Sequence, residues 1–105
     1  MMALENWLAK DRTLLPTGQR PLCLLLADRP LPVALREVSG AGAWIETHAR
    51  LDPGTAVRLR HPQAGTVSAE VIGQDRQGLQ LRFDRSAAAV AFALAVIAAD
   101  MRRAG

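Results

Sequence analysis

Twelve of the thirteen basic side chains in this 105-residue sequence are arginine. Arginine presents a planar, always-charged fork that matches phosphate oxygens and the O6/N7 edge of guanine. The chemistry on offer is therefore recognition of anions and base edges. A GC-rich coding sequence also raises arginine content, so composition alone assigns no ligand. The basic residues form no run and are scattered among ten acids, for a net charge of +3. That scatter argues against the sequence-blind electrostatic grip of a dedicated nucleic-acid binder.

The other reactive side chains do not assemble into a catalytic set. His48 and His61 stand thirteen residues apart, with no carboxylate or cysteine completing a metal-ligand spacing around either. No serine or cysteine has a recognisable base, and neither a phosphate-binding loop nor a dinucleotide fingerprint is present. Glu37 and Glu46, considered as an acid and base pair, read instead as solvated strand residues. The expectation is a binding protein, not an enzyme, with no metal and no cofactor. Cys23 is the only cysteine and lies in an apolar run, as a buried, inert thiol does. A lone cysteine, and an N-terminus with Glu5 and no long apolar stretch, predict a cytoplasmic protein without a signal peptide. The apolar run over 87–99 is short of the ~20 residues that a membrane-spanning helix needs, so no membrane insertion is expected.

The elements that would position these groups fall into three zones. Residues 2–15 place Leu4, Trp7, Leu8 and Leu15 near one helical face, which predicts a short amphipathic helix ended by Pro16, Thr17 and Gly18. Residues 20–84 read as six short strands over 21–28, 33–39, 43–47, 55–60, 66–72 and 79–83. The turns between them carry Pro30 and Pro32, Gly40 and Gly42, Asp52-Pro53-Gly54, 61–65 and 73–78. The strand over 21–28 is expected to be buried on both faces or nearly so. Alternation of Val57 and Leu59 with Arg58 and Arg60 is the pattern of a half-buried strand.

Residues 86–103 predict a helix, with Ser86 as its cap and Arg102 and Arg103 suited to its C-terminal dipole. Val90, Leu94, Ile97 and Met101 form one apolar stripe, expected to lie on the barrel. Phe92 and Val96 fall nearly opposite and need a second cover. The N-terminal helix is one candidate cover, and a second copy of the protein, making a homodimer through this helix, is the other.

The segment Leu35-Arg36-Glu37-Val38-Ser39-Gly40-Ala41-Gly42-Ala43-Trp44-Ile45 resembles the central signature of PilZ domains, bacterial signalling modules. In that family an acidic or amide residue, a serine two later and a glycine three after that join two barrel strands. The downstream order agrees: Leu51-Asp52-Pro53-Gly54, then Val57-Arg58-Leu59, then 67–72, then Gly78-Leu79-Gln80-Leu81-Arg82-Phe83. The resemblance spans residues 20–84. It implies a six-stranded antiparallel β-barrel with a C-terminal helix, to which the helical pattern adds a short N-terminal helix. The chain then divides into a lead-in over 1–19 and the barrel with its helix over 20–105.

The resemblance also implies a ligand, the second messenger cyclic di-GMP. The implied site is Arg20 before the first strand, with Glu37, Ser39 and Gly42 on the turn. The chemistry is coherent: guanidinium forks hold phosphates and guanine edges, a carboxylate accepts guanine N–H groups, and glycine admits close backbone approach. The family carries an Arg-x-x-x-Arg pair, but here Pro16 stands four residues before Arg20, and Glu37 is one methylene longer than the usual aspartate. Arg12 is a further candidate to supply the missing contact. The expected function is a stand-alone receptor that relays cyclic di-GMP through contacts with another, unidentified protein. Two alternatives stay open: a PilZ-like adaptor that has lost nucleotide binding, and a small nucleic-acid-binding barrel, which the shortage of aromatics for base stacking disfavours.

Overall fold

The structure, a computed structural model, describes residues 13–14 and 22–104, with side chains over 22–101. Among the described residues, seven strands and one helix follow in chain order: β1 (Thr13–Leu14), β2 (Leu22–Leu26), β3 (Pro30–Val38), β4 (Gly42–Glu46), β5 (Ala56–His61), β6 (Gly65–Gln74), β7 (Gly78–Phe83) and α1 (Ala87–Ala104). All pairings are antiparallel. The order β3-β2-β5-β6-β7-β4 closes when β4 returns to β3, giving a six-stranded barrel.

Alternation builds the interior. On β5, Val57, Leu59 and His61 are buried, while Ala56, Arg58 and Arg60 face out. Leu25, Leu35, Ile45, Leu59, Val71, Leu79 and Leu81 are fully shielded from solvent and fill the barrel. Cys23 joins this core, and β2 alternates like the other strands, with Leu22 exposed, instead of being buried on both faces. Burial pushes the Cys23 thiol up to about 12. Because the folded value lies above the unfolded one, this group favours folding below about pH 9. That contribution fades as pH rises from there toward the folded value. The native protein is expected to resist thiol-specific reagents at pH 8 and to react at once in denaturant; equal rates in the two conditions would count against burial of Cys23.

Turn chemistry joins the strands. The β5–β6 hairpin pairs His61 with Gly65. There the buried imidazole Nδ1 accepts the N–H groups of Gln63 at 3.0 Å and Ala64 at 3.2 Å. Gly65 takes φ +85°, a left-handed geometry that favours glycine. In the β6–β7 hairpin, Asp75 Oδ1 accepts from the N–H groups of Gln77 at 2.8 Å and Gly78 at 2.9 Å. The Gln77 N–H first, then the Gly78 N–H and the Arg36 charge, hold the Asp75 carboxyl below its ordinary range.

Three expectations need correction. Pro30 and Pro32 lie inside β3, opposite Leu26 and Leu24, and not in a turn. Pairing of β3 with β4 begins only at Ala34. The other side of β3 is therefore unpaired at Pro30 and Pro32, where a missing N–H costs no ladder bond. Thr13 and Leu14, assigned to the end of an N-terminal helix, pair instead with Val38 and Glu37 of β3; the rest of that predicted helix lies outside the described residues.

The third correction concerns which side of α1 meets the barrel. Phe92 and Val96, with Ala89, Ala93 and Ala99, are buried, while Val90, Leu94 and Met101 are exposed. Phe92 stacks edge-on against Phe83, with centroids 5.6 Å apart, and against His61 at 6.4 Å. The small alanines beside it let the helix come close. Ser86 caps the helix as expected, its Oγ accepting the Ala89 N–H at 3.2 Å.

Candidate ligand-binding turn

Glu37, Ser39 and Gly42 come together where β3 turns into β4. A bulge between Leu35 and Glu37 leaves Arg36 as the extra residue on β3. Bulges re-aim the side chains that follow, and here Glu37, Val38 and Ser39 are buried in succession. The turn is tightly held. The Ser39 N–H donates to the Gly42 carbonyl at 2.9 Å, and the Phe83 N–H to the Ala41 carbonyl at 2.8 Å. Ser39 Oγ accepts the Ala41 N–H at 3.1 Å. Glu37 is 6 % exposed and Ser39 1 %, so both are almost wholly shielded from solvent. Gly42 is buried as well, opening β4 opposite Arg82.

Arg36, beside the signature, is a hub. Its guanidinium lies 5.4 Å from the centroid of the Trp44 ring. It donates to Gln77 Oε1 at 2.8 Å, and its nitrogens lie 3.8 Å from Glu37 Oε2 and 3.7 Å from Asp75 Oδ2. Nothing in the spacing reveals this, because the bulge and the β6–β7 hairpin that meet at Arg36 are non-local.

The chain on the open side of β3 is placed by β1. At Glu37 and Val38, β4 occupies one side of β3, so β1 takes the other, the side that β2 follows from Ala34 onward. Leu14 opposite Glu37 and Leu22 opposite Ala34 are thus about 10 Å apart along β3, joined by residues 15–21. Arg20, Arg12 and Pro16 lie outside the described residues. The turn also borders a groove of about 820 Å³, walled by Ser39, Gly40, Arg82, Arg85, Val90 and Leu94 among others. Among the described residues no cluster of three or more His, Cys, Asp or Glu could hold a metal ion, and no helix is long and apolar enough to cross a membrane.

The closed six-stranded antiparallel barrel followed by one helix defines a PilZ-like fold. Two solved structures share it. The PilZ domain of YcgR from Escherichia coli, solved with c-di-GMP, superposes with a TM-score of 0.61 at 23% identity, covering 89% of this chain and 90% of that one. An uncharacterized Legionella protein, Lpg0364, does so with a TM-score of 0.59 at 16% identity, covering 90% of this chain and 98% of the other. No family model matches the sequence, and no curated protein does.

Proposed function

We propose that this chain binds cyclic di-GMP at the β3–β4 turn and relays the signal by contact with another protein. The ligand residues in this reading are Arg20, Glu37, Ser39 and Gly42, with Arg12 as an added contact. What supports it above all is the pairing of β1 with Glu37 and Val38 beside that turn in a PilZ-like barrel. Arg12 is the residue before Thr13, whose partner Val38 precedes Ser39. Arg20 stands two residues before Leu22 and six after Leu14, in a short connection tethered at both ends to the stretch of β3 leading into the turn. A doubly anionic ligand with two guanines suits two arginine forks converging on fixed acceptors and a close backbone.

Calorimetry of the full chain with cyclic di-GMP tests the reading. Saturable binding is expected, and Arg20→Ala should weaken it by about 10- to 150-fold, the loss of one charge-assisted contact. Absence of heat, with unchanged amide resonances around Ser39 at high micromolar ligand, would remove the nucleotide from the account.

One observation favours a second reading, an adaptor without ligand. Glu37 and Ser39 are buried, and Ser39 Oγ is engaged within its own turn. In that reading the motif serves the fold, and Arg20→Ala leaves the protein's partner contacts unchanged.

A further inference from the structure

One flank of α1 stays apolar and exposed, with Val90, Leu94 and Met101 at 50, 63 and 66% exposure and Ile97, which also packs on the core, half-buried beside them. Val90, Leu94 and Ile97 line one wall of the groove whose other wall is the β3–β4 turn. A contiguous apolar stripe of this kind marks a contact surface. We propose that its occupant is the chain's own N-terminal segment, residues 1–12, docked through Leu4, Trp7 and Leu8.

Three observations carry this. The first is direction. Passing from Leu14 to Thr13 follows β3 from Glu37 to Val38, so β1 followed backward points toward Ser39 and Gly40. The second is reach. Gly40 lies beside α1, since a Cβ built there would stand 3.6 Å from Val90 Cγ2. From Val38 to Gly40 is about 7 Å, and the five residues from Leu8 to Thr13 can extend to about 17 Å. The third is size. A stable dimer buries about 800 Å² per partner, and three partly exposed side chains on one helix fall well short of that. A tethered segment needs much less, because its attachment supplies a local concentration in the millimolar range. Arg82 and Arg85 against Asp84 leave the groove wall net positive, opposite in sign to Glu5 beside Leu4.

Limited trypsin digestion of the full chain reads out docking as the rate of cleavage after Lys10 and Arg12. Docking slows both cuts. Leu94→Glu, at an exposed position, should accelerate them at least about tenfold, and Trp7→Ala should do the same. Cleavage at Arg58 and Arg60 inside β5 should stay unchanged, which separates undocking from general unfolding. Equal rates at Lys10 and Arg12 in the parent and both variants would overturn the proposal. So would parent rates that fall as the protein is concentrated, since a second copy would then be the occupant.

Discussion

Replacing Gly78 with alanine should cost this barrel about 3 kcal/mol or more, enough to lower its melting midpoint by over about 10 °C. Gly78 opens β7 directly opposite Glu46 of β4. A methyl group there would run into the Ile45 carbonyl oxygen and would stand 2.8 Å from its carbon and 3.0 Å from Glu46 Cα. All three are backbone atoms, so no side chain can swing aside. Relief requires parting β4 from β7, the seam that carries the turn residue Gly42 at its other end. Gly78 is also the point where the Asp75 turn is tied, its N–H donating to Asp75 Oδ1 and its carbonyl accepting the Asp75 N–H at 3.0 Å. Gly40→Ala is the control, because its new methyl meets Val90 at an ordinary 3.6 Å. Thermal melts showing the two variants equally mild would mean that the β4–β7 seam has slack the contact does not suggest.

Phe92→Ala should be comparably damaging, by about 3–5 kcal/mol, through lost burial and the cavity left behind. Phe92 is 2 % exposed and meets Phe83 and His61 edge-on. It anchors α1 over the barrel, between the end of β7 and the end of β5. Domains of this size have a total stability of roughly 5–15 kcal/mol, so one side chain carries a large share of it. Urea unfolding gives the number directly. A loss under about 1 kcal/mol would mean that α1 contributes little to holding the barrel and that the strands stand without it.

The six barrel strands were legible because turn residues bound short apolar or alternating runs; β5, with Val57 and Leu59 against Arg58 and Arg60, is the plainest case of alternation. The orientation of α1 was not. Its alanine-rich sequence carries apolar side chains on opposite sides, and the choice between them is made by Phe83 and His61, which arrive from distant strands. Pro30 and Pro32 misled for a related reason, since proline is excluded only from a paired side of a strand and the pairing is not written locally. β1 is two residues long and has no pattern to read. At the candidate site, Ser39, Gly42 and the turn between them were legible as a motif. The burial of Glu37 and the stacking of Arg36 on Trp44 were not, because both depend on a bulge that sets β3 against β4. Arg12 and Arg20, which the ligand reading most needs, lie outside the described residues and rest on the sequence.

Closure of the barrel has a consequence for how this protein associates. Each of the six barrel strands has a neighbour on either hand, which leaves only short overhangs of bare backbone, and the one at the start of β3 carries two prolines that cannot donate. Adhesion by adding a foreign strand is thereby discouraged. A protein partner then meets mainly side chains on the barrel wall, and its specificity can be altered residue by residue without rebuilding the sheet.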